Sequence, residues 1–185
     1  NEGGGKAGRL YFTLQAIGHD QCSVIDGGLA AWIDAGGETE SGPVHIDQSE
    51  FSAVIKGDNI ADMDYILSRL DEPQTAIVDT RSPREFAGTD VRAARGGHIP
   101  GAVNMEWTDV MNPAQHRTLK SENQIRAMLE SKGITADKEI IVYCQTHHRS
   151  AHTYTLLKHL GYPKVRGYPG AWSEWGNHSD TPVEN

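Results

Sequence analysis

Residues 139–150 read Glu-Ile-Ile-Val-Tyr-Cys-Gln-Thr-His-His-Arg-Ser. Glu139 to Tyr143 is a short apolar run rich in β-branched residues, the composition of a buried strand. Residues 150–160 (SAHTYTLLKHL) turn to a helical pattern. Cys144 therefore falls between the end of a strand and the start of a helix. Free backbone N–H groups and the positive end of the helix dipole meet a side chain placed there. Such groups favour the thiolate, the reactive form of cysteine, and shape an anion-binding cup. Arg149, five residues after Cys144, adds a fixed positive charge. Nucleophile, cup and cation together point to covalent chemistry on a small anionic group.

Two plainer readings compete. A cysteine at a strand end often serves as a small buried apolar residue. Cys144, His147, His148 and His152 could also be metal ligands. Arg149 would stand among those ligands and repel a cation, and the first residues of the set lie in a loop where helical spacing does not apply. No metal and no external cofactor are expected.

Outward from this stretch, residues 76–79 (AIVD), 102–104 (AVN) and Val165 read as further short strands. Residues 61–70 and 121–132 read as helices. Ser121 and Gln124 make a capping box, and Gly133 and Gly161 are natural stops. Strands that alternate with helices, and are apolar on both faces, imply an α/β fold with a mainly parallel sheet covered on both sides. Functional groups gather at the carboxyl edge of such sheets, where Asp79, Cys144 and the turn after Val165 all fall.

Several other segments carry a family signature. Residues 96–104 read GGHIPGAVN, 79–86 read DTRSPREF, and Gly161-Tyr162 is followed by Gly167 and Gly170-Ala171-Trp172. With the loop CQTHHR, these resemble the rhodanese sulfurtransferases, and in particular bacterial two-domain thiosulfate:cyanide enzymes. The resemblance implies a five-stranded, mainly parallel sheet with helices on both faces. It implies a Cys144 persulfide, formed from thiosulfate and discharged to cyanide or a thiol, held by the loop Gln145, Thr146, His147, His148 and Arg149. Asp79, Arg81, Arg84 and Glu85 would support the loop, and Cys144 would be an exposed thiolate, the first site of peroxide attack. The chain departs from mitochondrial-type relatives, which carry an anion-binding Arg at the position of Glu85 and a Lys at that of Thr146. Its loop also differs from the CG[SA]G[VI] loop of mercaptopyruvate enzymes. A protein-to-protein sulfur relay would use the same loop. Cysteine phosphatases of related fold need one more residue between Cys and Arg than the four found here.

The chain also repeats itself. Gly18-His19 and residues 27–36 (GGLAAWIDAG) parallel Gly161-Tyr162 and residues 167–176, with residues 3–9 (GGGKAGR) where the Cys144 loop stands in the later copy. Residues 1–40 are expected to be the C-terminal part of an inactive rhodanese-like domain, with a helix at 7–17, a strand at 23–25 and a helix at 28–35. Residues 41–48 would be a linker and 49–185 the catalytic domain. A companion chain or preceding segment would cover the first part.

Composition sets outer bounds. The 185 residues are 37% hydrophobic and 23% charged, an ordinary globular balance. A formal charge of −8 argues against nucleic acid as partner, and no apolar run is long enough for a membrane span. Only Cys22 and Cys144 occur, which is no disulfide framework and fits a cytoplasmic, reducing setting. Cys22 has no neighbouring arginine or glycine loop and reads as structural.

Overall fold

The computed structural model describes residues 3–185. Two helices come first, α1 (Gly5–Ala16) and α2 (Gly28–Asp34), followed by irregular chain up to a 3₁₀ turn at Gly57–Asn59. Then come α3 (Met63–Leu67), β1 (Thr75–Asp79), α4 (Pro83–Phe86), β2 (Val103–Asn104) and a small antiparallel hairpin of β3 (Met111–Asn112) and β4 (Thr118–Leu119). The chain ends with α5 (Glu122–Ser131), β5 (Glu139–Tyr143), α6 (Arg149–His159), β6 (Val165–Gly167) and α7 (Ala171–Trp175). No helix among the described residues is long and apolar enough to cross a membrane.

The main sheet runs β2-β1-β5-β6, every pair parallel. Its register places the site. Asp79 lies opposite Tyr143, and Val142 lies opposite Gly167. The strands therefore end level, and the chain segments leaving β1, β5 and β6 emerge side by side at one edge.

Side chains alternate across a strand, so β5 feeds two cores. Ile140 and Val142 join Ile125, Leu129, Tyr154 and Leu157 on one face. Ile141 and Tyr143 join Ile66, Ile99, Trp172 and Trp175 on the other. Each such side chain contributes about 2 kcal/mol by leaving water. The helix stops act as the sequence implies: Ser121 and Gln124 form their capping box, and Gly133 and Gly161 take the left-handed conformation at φ 70° and 81°.

Three expectations need correction. The sheet has four strands, not five. The fifth place is held by a single parallel bridge from Ile60 to Gly167, because the chain turns away into Asp62, whose side chain caps α3 by accepting from the Tyr65 N–H. For the same reason α3 starts later than residue 61, and it breaks into a turn after Leu67. Residues 23–25 form no strand, since no extended neighbour among the described residues offers them a ladder.

The first helix is built into the catalytic body. Phe12 is buried in the same core as Tyr154 and Ala151, with its ring edge-on to Tyr154 at 5.1 Å. Gly8 lets α1 approach α6 at backbone distance: a Cβ there would stand 2.8 Å from the His152 nitrogen and 3.0 Å from the Ala151 carbonyl carbon. The second helix is different. Leu29 and Ile33 stay 64% and 52% exposed.

Gly8→Ala tests the contact by its sign. On a free helix the change stabilises by about 1 kcal/mol. Against an unyielding backbone it should destabilise by about 1–3 kcal/mol. Urea unfolding of the two proteins reads the difference, and a stabilised variant would show that α1 does not dock this closely.

Candidate active site

Tyr143 ends β5, and six residues later Arg149 begins α6. The intervening loop is anchored through its carbonyls. The Cys144 carbonyl accepts from the Trp172 N–H at 2.9 Å and the Gln145 carbonyl from the Ser173 N–H at 3.0 Å. The Thr146 carbonyl accepts from Arg9 Nη1 at 3.0 Å. The N–H groups of Gln145, Thr146, His147 and His148 find no acceptor among the described residues. Four consecutive N–H groups without a protein acceptor therefore follow the cysteine, the kind of backbone run that can receive an anion.

Cys144 itself is only 1% exposed. The expectation of an open thiolate is therefore corrected: the loop wraps the sulfur, and Cys22 is the more accessible of the two cysteines. His147 is also fully buried. Its φ of 60° is left-handed, its Nδ1 lies 2.7 Å from Ser150 Oγ, and the Phe12 ring meets it edge-on at 4.4 Å. Its Nε2 has no hydrogen-bond partner among the described residues and lies against Gly167, where a Cβ would strike the ring at 2.4 Å. Burial, aided by the charge of Arg9 and by His148, pushes its pKa down to about 3, so it is neutral at ordinary pH. His147 shapes the loop, while His148 stands exposed on the rim.

Arg149 does not act as a lone cation. Its Nη1 and Nη2 reach the two oxygens of Glu85 at 2.6 and 2.7 Å, a bidentate pair. Glu85 is 1% exposed and also satisfies the Ser82 N–H in a capping box. Burial disfavours its charge, but Arg149 and Ser82 outweigh that and hold its pKa at about 2. Burial likewise works against Arg149, yet Glu85 and the Cys144 sulfur raise its pKa above the usual value. The residue that replaces an anion-binding arginine thus neutralises the loop arginine instead.

Beneath the loop, Arg81 is 1% exposed and forks onto Asp79 with distances of 2.5–3.0 Å. It also donates to the Gly97 carbonyl at 2.7 Å and lies over the Trp172 ring, 4.5 Å from its centre. Of the four residues expected to support the loop, Glu85 pairs with Arg149, Asp79 and Arg81 pair with each other at the end of β1, and Arg84 is exposed. No group of three or more His, Cys, Asp or Glu among the described residues is arranged to hold a metal.

Sequence reasoning missed the loop's surroundings. A cleft of about 600 Å³ opens beside it, lined by Lys6, Trp107, Arg117, Thr146, His148 and Arg149. Among the described residues no carboxylate lines it. Lys6 and Arg117 lie far from Cys144 in sequence, and neither forms a motif with it.

A model of the Rhodanese-like domain family matches residues 62–178. The chain is 49% identical over 185 residues to a protein of Pseudomonas aeruginosa named Thiosulfate sulfurtransferase, covering 100% of this chain and 67% of that one. It is 48% identical to a protein of Azotobacter vinelandii with the same name, again covering 67% of its length. Among solved structures, the anaerobic ergothioneine biosynthesis enzyme of Chlorobium limicola superposes with a TM-score of 0.88 at 25% identity. That match covers 98% of this chain but 45% of the other, so the chain spans less than half of that enzyme.

The Glu85–Arg149 pair makes a pH prediction. Lowering a carboxylate from 4.5 to about 2 is a gain of roughly 3 kcal/mol, less what solvent screens at the half-buried Arg149 end, leaving about 2. A depressed carboxylate stabilises above its unfolded pKa and loses the gain as pH falls towards its folded value. Glu85→Gln should therefore unfold about 2 kcal/mol more easily at pH 7, with the gap closing between pH 5 and pH 2. His147 also destabilises the fold as pH drops below 6.5, but equally in both proteins. Urea titrations across that range check this; a gap independent of pH would refute it.

Proposed function

Because the chain belongs to the rhodanese family, we propose that it is a thiosulfate sulfurtransferase that carries sulfur on Cys144. The observation that supports this most is the row of four N–H groups, without an acceptor among the described residues, that directly follows the buried Cys144. In the first step the Cys144 thiolate attacks the outer sulfur of thiosulfate. A new S–S bond forms, the old one breaks, and sulfite leaves with the electron pair. The product is a Cys144 persulfide anion, whose outer sulfur the N–H groups of Gln145 to His148 stabilise, as an oxyanion hole stabilises oxygen. In the second step cyanide or a thiolate attacks that outer sulfur, and Cys144 leaves as thiolate. No proton needs to move in either step with cyanide, which suits a loop whose buried histidine stays neutral. No cofactor is needed, since the cysteine is the carrier.

The cup is sized for one sulfur. Four residues separate Cys144 from Arg149, and the Glu85 carboxylate occupies the guanidinium that a phosphoryl group would need. This favours sulfur transfer over phosphate hydrolysis.

The first helices fit a second, inactive rhodanese-like unit. α1 and α6 are each followed by a left-handed glycine, Gly18 and Gly161, and further on by a tryptophan-bearing helix, although the strand β6 that precedes α7 has no counterpart before α2. The whole chain matches relatives half as long again as itself, and the exposed Leu29, Trp32 and Ile33 of α2 would then lie against the rest of that unit.

Intact mass spectrometry after thiosulfate treatment should show one added sulfur atom, removed again by cyanide. Cys144→Ser should abolish both the mass gain and thiocyanate production, and Cys22→Ser should leave them intact. Sulfur uptake by Cys144→Ser, or phosphate-ester hydrolysis without persulfide, would overturn the proposal.

A further inference from the structure

We infer that Arg9, on the first helix, is a positioning residue for sulfur transfer: it holds the Thr146–His147 peptide so that its N–H faces Cys144. The inference rests on the sulfurtransferase reading above. The peptides are all trans, and in a trans peptide the C=O and the next N–H point in opposite directions. A loop can therefore turn its N–H groups onto a central sulfur only if its carbonyls are turned outward and held there.

Three carbonyls are held. Backbone N–H groups of Trp172 and Ser173 take those of Cys144 and Gln145, both from the helix α7 behind the loop. The third, of Thr146, is out of their reach and is taken by the Arg9 guanidinium at 3.0 Å, from 137 residues away in sequence. This is the peptide that most needs holding. It precedes His147, whose left-handed φ of 60° is strained in a residue with a side chain. With its carbonyl released, that peptide relaxes by rotating, and the His147 N–H leaves the cup.

The surrounding contacts give Arg9 a fixed base. Gly8, next to it, sits at backbone distance from Ala151 and His152 in the first turns of α6. Phe12, one turn on, clamps the His147 ring. α1 thus grips the far half of the loop while α7 grips the near half. Arg9 differs from every other anchor in being a side chain, so it can be removed without disturbing a backbone ladder.

Arg9→Gln and Arg9→Lys test this in the full chain. Single-turnover sulfite release from thiosulfate should slow roughly tenfold in Arg9→Gln, the loss of one charge-assisted hydrogen bond. The final mass gain should still be one sulfur, and the thermal midpoint should match the parent. Arg9→Lys, which keeps a cationic donor, should recover most of the rate. A parent-like rate in Arg9→Gln overturns the assignment. So does a loss of rate that tracks a loss of thermal stability and is not recovered by lysine, since that is a merely structural role. If the parent chain takes up no sulfur, the sulfurtransferase reading fails first, which a slow but complete Arg9→Gln cannot be mistaken for.

Discussion

The buried Arg81 guanidinium is the interaction around which the carboxyl edge is organised. It ties the end of β1 through Asp79, the following loop through the Gly97 carbonyl, and α7 through the face of Trp172. Trp172 in turn donates its N–H to the Cys144 carbonyl. One cation thus connects three separate segments to Cys144. Buried ion pairs contribute little net stability, because desolvation offsets attraction, but losing one partner costs about 3–5 kcal/mol. Such a pair admits few alternative packings, which suits a site that needs one loop geometry.

The charges around the loop divide the work. Arg149 is matched by Glu85, and His147 is neutral, so the loop's immediate ring carries little net charge. In the proposed reaction an anion would pass Arg117 in the cleft, and its reacting sulfur would be stabilised by peptide dipoles. Dipoles fixed before the reaction need no rearrangement when charge shifts from the cysteine to the outer sulfur. The protein is acidic overall, so anion binding in the proposed reaction would depend on local groups and not on net charge.

What the sequence revealed follows from distance along the chain. The Glu139–Tyr143 strand, the Ser121–Gln124 box and the Gly133 and Gly161 stops depend on neighbours within a turn or two, and all were legible. So was the level edge shared by Asp79 and Cys144, because parallel strands of similar length end together. The failures are non-local. Residues 23–25 have strand composition but no neighbouring strand, and composition does not report the partner. The burial of Cys144 comes from a loop folding back over it, which no spacing encodes. Arg9 looked like part of a degenerate loop copy, since its target lies at Thr146, beyond any periodic pattern. Glu85 was expected to support the loop, but its partner, the Arg149 guanidinium 64 residues away, is visible only in the fold.

The sheet's margins carry one more consequence. At one side β2 spans two residues, and at the other a single bridge from Ile60 closes the row. Long unpaired strand edges are templates on which other chains add and fibres grow. Here each margin offers too few free backbone groups to seed such growth. The same abrupt turn at Asp62 that removes the fifth strand thus leaves a molecule whose sheet resists extension by its neighbours at high concentration.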